Sequence, residues 1–315
     1  MSGIKVLVIG ASVAGPTAAY WMSRAGCRVT VVERCTQLRT SGQSVDIRTV
    51  GVTVMRRMAG LEEAVLTKRV PINGISIVDS DGRSFGTMSP TGDPDEQSLV
   101  STKYFVEICL IFYGPITAEF LNGYPTATFD LVIACDGATS KTRAMGLNCG
   151  SRDYVESTNG WAAFFSTKKD IVGKSDSATA YNAPGSRFMA LGPDPTGVNR
   201  VTFMTMNQSD AHMNEFREAV KQGGKSLKDF VANYYHDAGW KADDAVKEMI
   251  ESEDFYSNEI VRIKTPTLSK GRFVLVGDAG YAAPIGTGTS LAWLCVAHIY
   301  LQGKSVDIKM TSQRP

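Results

Sequence analysis

The stretch that decides the fold runs from residue 4 to residue 33 and reads IKVLVIGASVAGPTAAYWMSRAGCRVTVVE. It opens with a short apolar run rich in valine and isoleucine, which predicts a buried parallel strand. A glycine turn follows, and then a stretch of small and apolar residues predicts a helix that stops at Gly26. A second valine-rich strand ends at Glu33. The order strand, turn, helix, strand and acid is typical of a βαβ unit that binds a dinucleotide.

The turn in this unit, GASVAG, is a glycine fingerprint in which Ser12 replaces the middle glycine. Gly10 is expected to make the turn, and Gly15 to let the helix pack closely on the strand. Ser12 is small, so the backbone can still approach a phosphate at the helix N-terminus. Glu33 can accept a hydrogen bond from a ribose hydroxyl. The hexapeptide alone is also compatible with a plain βαβ crossover that has an ordinary glycine turn.

Composition limits the classes of function. The 315 residues are 43% hydrophobic and 21% charged, with a net charge of +1, which is typical of an ordinary globular protein of one or two domains. This balance predicts neither a nucleic-acid nor a membrane partner, and FVEICLIFYG is too short to span a bilayer. No signal peptide is visible, because the first apolar run is the predicted strand itself.

Cysteines and histidines predict no special chemistry. The six cysteines form no C-x-x-C pair, so they are expected to be buried thiols in a reducing, cytoplasmic compartment. The three histidines have no metal-ligand spacing, and no metal site is expected.

Farther along the chain, the sequence alternates between two kinds of pattern. A polar loop and an amphipathic helix are predicted after Glu33, and a hairpin is predicted around the turn DSDG, followed by the loop SPTGDPDEQS. The middle of the chain predicts antiparallel strands and then three helices, including SDAHMNEFREAVKQG. Two further apolar strands, in FDLVIACDG and GRFVLVGDAG, end in an acid beside a glycine.

Three separated motifs now carry a family resemblance. They are GASVAG with Glu33, LVIACDGATSKTR and GRFVLVGDAGYAAPIGTGTSLA. In this order they resemble the single-component FAD-dependent monooxygenases of the para-hydroxybenzoate hydroxylase-like fold, in their microbial and fungal branch. The resemblance covers nearly the whole chain. It implies an α/β fold in which a Rossmann-type FAD-binding domain (residues 1–70, 100–158 and 258–315) is interrupted by a mostly antiparallel substrate domain with helices (residues 71–99 and 159–257).

The resemblance also implies roles for individual residues. The turn at Asp136 and Gly137 would approach the pyrophosphate, and Arg143 would stabilise that turn or the phosphates. Asp278 would bind the ribityl region, and Arg48 would lie near the isoalloxazine. A loop leading into a helix would present backbone amides to the flavin ring. The expected cofactor-binding residues are Gly10, Ser12, Ala14, Gly15, Glu33, Arg34, Arg48, Asp136, Gly137, Arg143, Asp278, Pro284, Gly286 and Gly288.

The function implied is that of an FAD-dependent monooxygenase with NAD(P)H as co-substrate. It would hydroxylate or epoxidise an aromatic or polyketide-like small molecule, in secondary metabolism. FAD carries the chemistry in this family, so the sequence names no catalytic acid or base. Neither the substrate, nor the choice between NADH and NADPH, nor the oligomeric state follows from the sequence.

This chain departs from the family pattern in three places. Members of this family carry a helix before the Asp136 motif, and an arginine of that helix helps to hold FAD. Here no arginine occurs between Arg83 and Arg143, and a helix-sized piece of roughly 20–30 residues, the usual length of a crossover, is expected to be missing. The loop GYAAPIGTGTSLA is slightly short, and the chain stops soon after the following helix. One alternative is therefore a degenerate relative that binds FAD weakly or not at all and acts as a non-redox cyclase or isomerase, or is inactive. Another is a flavin-dependent dehydrogenase or reductase that does not use oxygen.

Overall fold

Two large sheets organise the molecule. The computed structural model describes residues 3–35, 44–48, 50–68, 70, 73–89, 96–101, 127–173, 177–194 and 197–282. The strands are β1 Lys5–Ile9, β2 Arg28–Val32, β3 Ser44–Arg48, β4 Ile75–Val78, β5 Ser84–Met88, β6 Glu96–Ser101, β7 Leu131–Ala134, β8 Val155–Thr167, β9 Ala178–Ala183, β10 Arg187–Pro193, β11 Asn199–Thr205, β12 Tyr256–Lys264, β13 Ser269–Lys270, β14 Phe273–Leu275 and β15 Tyr281–Ala282. The helices are α1 Ala14–Arg24, α2 Val50–Arg57, α3 Leu61–Thr67, α4 Lys141–Leu147, α5 Asp210–Gln222, α6 Gly224–Tyr235 and α7 Ala242–Glu251, with a 3₁₀ turn at Gly277–Ala279.

The first sheet has the strand order β13-β14-β7-β1-β2, and β14, β7, β1 and β2 run parallel. Its strands are short and apolar, and β1 alternates between fully buried and half-buried residues, so one face is fully covered and the other in part. Val6 and Val8 of β1 are fully buried and belong to one core cluster with Ala18 and Ala19 of α1. The small residues of α1 allow the helix to lie close to the sheet. This arrangement confirms the predicted βαβ unit.

The second sheet has the order β15-β12-β8-β11-β10-β9-β4-β5, and all its pairs are antiparallel except β4 with β9. Alternate residues of its strands, such as Trp161, Phe165 and Phe203, form a core with Met213 and Phe216 of α5. A buried aromatic side chain removes roughly 150–250 Å² from water. At about 25 cal/mol per Å², each is worth about 4–6 kcal/mol of transfer free energy. The expected second layer, a mostly antiparallel sheet with helices, is confirmed.

Strands β8 and β12 form the longest pairing of the second sheet, and the pairing is interrupted once. Ile260 pairs with Gly160, but the next residue, Val261, pairs with Ser157, so β8 carries two extra residues at this point. One of the two, Asn159, has a left-handed backbone with φ of 51°, which asparagine tolerates better than most residues. The predicted domain borders at residues 158 and 258 fall within these two strands, close to the bulge.

Two strands occur where loops were predicted. β3 lies in the segment predicted as a polar loop and start of a helix, and β6 begins inside the predicted loop SPTGDPDEQS. They pair with each other as an antiparallel ribbon, with Val45 opposite Val100. Neither has strong alternation of its own, and their partners are far apart in sequence. The predicted amphipathic helix is also two helices, because Gly60 adopts a left-handed φ of 76° between α2 and α3.

The cysteines of the described residues are all free thiols. Cys135 is buried, Cys27 and Cys149 are partly buried, and Cys35 is exposed. The expectation that all cysteines are buried is therefore wrong for Cys35, which follows β2 where the chain leaves the sheet. Within the described ranges, no helix has the length and hydropathy to cross a bilayer, and no cluster of His, Cys, Asp and Glu could hold a metal ion.

Candidate functional site

The glycine turn between β1 and α1 is as tight as the sequence predicts. Gly10 has φ of 106°, and a Cβ there would lie 2.4 Å from the carbonyl oxygen of Cys135. A Cβ on Gly15 would lie 1.8 Å from the carbonyl oxygen of Gly10. Neither glycine can be replaced without moving backbone. The two glycines thus hold the start of α1 directly above the end of β1.

The N-terminus of α1 is open to a ligand. No side chain caps it, and its first turn contains no acidic residue. The first amides of a helix have no partner within the helix, and the helix dipole adds a partial positive charge there. Ser12 is exposed beside these amides, and Ala14 begins the helix. Such an end favours an anionic group, as in nucleotide phosphates.

Glu33 lies directly after β2 and folds back onto the glycine turn. Its Oε2 accepts a hydrogen bond from the Ala11 amide at 2.8 Å, and its Oε1 accepts one from the Cys35 amide at 3.1 Å. Each carboxylate oxygen retains acceptor capacity. Glu33 therefore orients the glycine turn and can still accept a hydrogen bond from a hydroxyl group of a ligand. Arg34 follows it and is exposed.

Asp136 lies in the turn after β7, and its carboxylate fixes the start of α4. It accepts hydrogen bonds from the hydroxyl of Ser140, and from the amide and hydroxyl of Thr142 at 3.2 and 2.9 Å. Ser140 in turn caps the helix by accepting from the Arg143 amide at 2.8 Å. Gly137 has φ of 85° with open space around it. Asp136 thus contributes to the site by shaping this turn.

Arg143 is fully buried on α4, at 0% exposure. Its Nη1 donates to the carbonyl of Ala279 at 2.9 Å, and its Nη2 donates to the carbonyls of Ala138 at 3.0 Å and Ser151 at 2.8 Å. Burial lowers the pKa of the guanidinium from its ordinary value, and the nearby Asp136 opposes that change. The sequence predicted that Arg143 stabilises either the Asp136 turn or the phosphates. These contacts fit stabilisation of the turn.

Asp278 lies in the 3₁₀ turn that follows β14. Its side chain is open to solvent, yet protein atoms around it desolvate the carboxyl and raise its pKa. The exposure decides what Asp278 can do, because an accessible carboxylate can accept hydrogen bonds from a ligand.

The sheet brings four of these turns to one edge. Ile9 pairs with both Val32 and Ala134, and Ala134 pairs with Leu275, so the four parallel strands end at the same level. The turns after β14, β7 and β1 and the acid after β2 therefore lie side by side. Ligands of open α/β sheets bind at such carboxyl ends.

Four predicted site residues are described only in part or not at all. Arg48 ends β3, where its backbone pairs with Glu96 of β6. Pro284, Gly286 and Gly288 lie outside the described residues. Their assignment to the site stays a prediction.

Known proteins share both the sequence pattern and the fold. A family model described as an FAD binding domain matches residues 3–104. An FAD-dependent monooxygenase of Sarocladium schorii, asL4, is 27% identical over 334 residues, covering 96% of this chain and 76% of its own. An uncharacterized protein of Mycobacterium tuberculosis (strain CDC 1551 / Oshkosh) is 30% identical over 319 residues, covering 92% of this chain and 82% of its own. The crystal structure of tetracycline destructase Tet(55) matches 96% of this chain and 81% of that chain, with a TM-score of 0.81 and 25% identity.

The chain belongs to the FAD-dependent monooxygenase family. It is an FAD-dependent oxidoreductase, and FAD is its cofactor. The alignment with the Sarocladium monooxygenase spans 334 positions, which exceeds the 315 residues of this chain. That relative therefore contains internal residues without a counterpart here.

The second sheet has a further face, on the side opposite α5, α6 and α7. The half-buried Phe164, Phe188 and Met204 alternate with the core residues and so lie on this face. Tyr256 pairs with Phe164 across β12 and β8, and their rings stack with centroids 5.1 Å apart. Sequence reasoning missed Tyr256. Its signal was the alternation of β12, which appears only once the register with β8 is known.

Proposed function

We propose that this protein is an NAD(P)H-dependent monooxygenase that transfers one oxygen atom from O₂ to an aromatic or polyketide-like small molecule, by hydroxylation or epoxidation. The observation that carries the proposal is the level row of turns after β14, β7, β1 and β2, which places Asp278, the Asp136 turn, the glycine turn and Glu33 along one edge. The row offers carboxylates at its two ends and helix amides between them, which suits an extended dinucleotide with hydroxyls at both ends and phosphates between them.

The residues present fit FAD. The uncapped start of α1, with Gly10 and Gly15 beneath it, would receive the pyrophosphate. Glu33 would accept a hydrogen bond from a hydroxyl of the adenosine ribose, and Asp278 would accept hydrogen bonds from hydroxyls of the ribityl chain. Bound FAD supplies hydride acceptance and oxygen transfer. The protein supplies position and keeps water away from the reacting atoms.

The open face of the second sheet supports an aromatic, uncharged substrate. The middle of this face carries Phe164, Tyr256, Phe188 and Met204, and the residues paired beside them, Thr202 and Ala190, have no ionisable group. Aromatic rings and methionine suit a planar hydrophobic ligand. The structural similarity to a tetracycline destructase, an enzyme named for a polycyclic compound, agrees with this choice.

A purified, FAD-reconstituted sample tests the proposal. Under anaerobic conditions, NADH or NADPH should bleach the flavin absorbance, and admission of oxygen should restore it. With a suitable aromatic substrate, the product should gain one oxygen atom that derives from labelled O₂. Product formation without oxygen would identify a flavin dehydrogenase or reductase instead. A colourless protein that cannot be reconstituted would contradict the proposal.

A second candidate function follows from the residues that this chain lacks relative to the Sarocladium enzyme. Without part of its FAD-binding surface, the same fold could bind FAD weakly and act as a non-redox cyclase or isomerase, or be inactive. The two candidates differ in the FAD dissociation constant and in the mass of the product, because an isomerase leaves the mass unchanged. We further propose a role in secondary metabolism in the cytoplasm.

A further inference from the structure

We propose that Arg143 is a positioning residue of the FAD site, which holds the turn of Asp278 against the turn of Asp136 from inside the protein. This inference rests on the proposed function, because it names a residue that sets the geometry of the same site. Arg143 does not reach the ligand surface, since its side chain is 0% exposed. It would act through the two turns that it joins.

The partners of Arg143 come from three separate segments. Ala138 follows Gly137 in the Asp136 turn, and Ala279 follows Asp278. The third carbonyl, that of Ser151, belongs to the turn that leads from α4 into β8. None of the ion pairs between described residues includes Arg143. A buried guanidinium is planar and rigid, so when its hydrogen bonds all go to carbonyls of different segments, it fixes the distances between those segments.

The Arg143 side chain lies beyond the last hydrogen bond of the sheet, between the Asp278 turn and the Asp136 turn. The Val276 amide donates to the Ala134 carbonyl at 2.9 Å, at the ends of β14 and β7. Beyond that bond, the chains diverge into the Asp278 turn and the Asp136 turn. Arg143 bridges them there with its bonds to Ala279 and Ala138. The separation between the carboxylate of Asp278 and the Asp136 turn therefore depends on this side chain.

A general loss of stability must be separated from a loss of site geometry. Arg187 offers a matched control, because it also donates to carbonyls, those of Pro184 at 2.6 Å and Tyr234 at 3.1 Å, and it pairs with Asp237. It packs against α6 on the helix-covered side of the second sheet. The substitution Arg187→Met removes comparable hydrogen bonds far from the strand ends.

The test measures the FAD dissociation constant by flavin fluorescence, at a temperature where each variant remains folded by circular dichroism. We expect Arg143→Met to weaken FAD binding by about tenfold or more, while Arg187→Met stays within about twofold of wild type. Arg143→Lys keeps the charge, but its single nitrogen cannot replace the two separate nitrogens, Nη1 and Nη2, that reach Ala279 on one side and Ala138 and Ser151 on the other, so it should also weaken binding. If Arg143→Met fails to fold, Arg143→Lys carries the test.

A double variant distinguishes positioning from an independent contribution. If Arg143 acts through the Asp278 turn, Arg143→Met should cost less in an Asp278→Ala background than in wild type, so that the two losses do not multiply. Losses that multiply in full would overturn the inference. So would full FAD affinity in Arg143→Lys, or equal affinities in Arg143→Met and Arg187→Met. Wild-type protein that binds no FAD would overturn the proposed function, and this inference with it.

Discussion

At the scale of single residues, the glycines of the strand-end turns differ in what makes them necessary. Gly15 lacks space, because a Cβ would lie 1.8 Å from a backbone oxygen. Gly137 has space but φ of 85°. Gly86 on β5 has neither constraint. We expect Gly15→Ala to lower the free energy of unfolding by about 3 kcal/mol or more, Gly137→Ala by about 1–2 kcal/mol, and the control Gly86→Ala by less than about 0.5 kcal/mol. Urea unfolding measures all three, and a different order would contradict the close packing of the turn.

The choice of nucleotide depends on Glu33. A carboxylate accepts a ribose hydroxyl but repels a phosphate at the same place, so the wild-type site should bind FAD and reject NADP. Glu33→Gln should weaken FAD by about tenfold, since a charge-assisted bond becomes a neutral one. Glu62→Gln, on the surface of α3, is the control. Titration of the apoprotein with each nucleotide measures both affinities. Preferential NADP binding by wild type would contradict the role given to Glu33.

Asp278 should matter for the cofactor and little for the fold. Its side chain is exposed, so Asp278→Ala should change the free energy of unfolding by less than about 0.5 kcal/mol, while the affinity for FAD should fall and remain measurable. Desolvation raises the pKa of this carboxyl. FAD affinity should therefore decline as the pH falls through that raised pKa, because a protonated carboxyl is a poorer acceptor. Unchanged flavin content in Asp278→Ala would show that the motif is incidental.

The sequence predicted the residues of the site better than their hydrogen bonds. Gly10, Gly15 and Glu33 belong to one contiguous βαβ unit, and its local pattern suffices to predict them. The Asp136 turn was predicted to approach the pyrophosphate, and that role stays a prediction; the sequence did not predict that the Asp136 carboxylate bonds Ser140 and Thr142. That choice depends on where α4 begins, which the sequence does not specify to the residue.

At the scale of elements, local periodicity predicted α1 and α5–α7, whereas pairing between distant segments escaped it. β3 and β6 have no strong pattern, and each is stabilised by the other. The alternation of β8 was visible, but which of its faces α5 covers was not. The position of Trp161 beneath the helices and of Phe164 opposite them follows from tertiary packing, which the sequence of one strand does not encode.

The packing of α5 on the second sheet should depend on pH. The buried indole of Trp161 donates through Nε1 to Nε2 of His212 at 3.0 Å, which requires a neutral imidazole. Burial lowers the pKa of His212 below its ordinary value of 6.5, and Glu215 opposes this only in part. The unfolded chain therefore takes up a proton first as the pH falls below about 6.5, and stability decreases there. Above that pH the contribution is fully present.

The variant His212→Gln serves as the matched control for this pH dependence. Its amide oxygen can accept from Trp161 but does not titrate. Urea midpoints of wild type should fall more than those of the variant between about pH 7.5 and about pH 5.5. Parallel pH profiles for the two proteins would show that this hydrogen bond does not sense protonation.

At the scale of the whole molecule, the two sheets divide the work. The first sheet aligns the four strand ends that we propose for the cofactor, and the second has the aromatic face that we propose for the substrate. The Ser151 carbonyl, held by Arg143, lies in the turn between α4 and β8, where the chain passes from one sheet to the other. Geometry at the cofactor end is thus linked to the first residues of the substrate layer.

The absence of internal residues that the Sarocladium relative contains should lower the affinity of this chain for FAD. The family resemblance places an arginine in a helix between Arg83 and Arg143, and the aligned relative is longer than this chain. A hydrogen bond from arginine to a phosphate contributes roughly 1.5–3 kcal/mol, so its absence should weaken FAD binding by about one to two powers of ten. Water that reaches the flavin would also divert reducing equivalents into hydrogen peroxide. We therefore expect weaker FAD retention than in the Sarocladium enzyme, and more peroxide per NAD(P)H consumed.

Insertion of the relative's segment between residues 108 and 109 tests this expectation directly. It should raise both the FAD content after gel filtration and the fraction of NAD(P)H that yields oxygenated product. A glycine-serine insert of equal length is the matched control, because it adds chain without the arginine or the helix, and it should raise neither. The decisive measurement is the FAD content and peroxide yield of the unmodified chain. If it already retains one FAD per protein through gel filtration and turns over without peroxide, the missing segment is dispensable, and the site of Glu33, the α1 amides and Asp278 is sufficient alone.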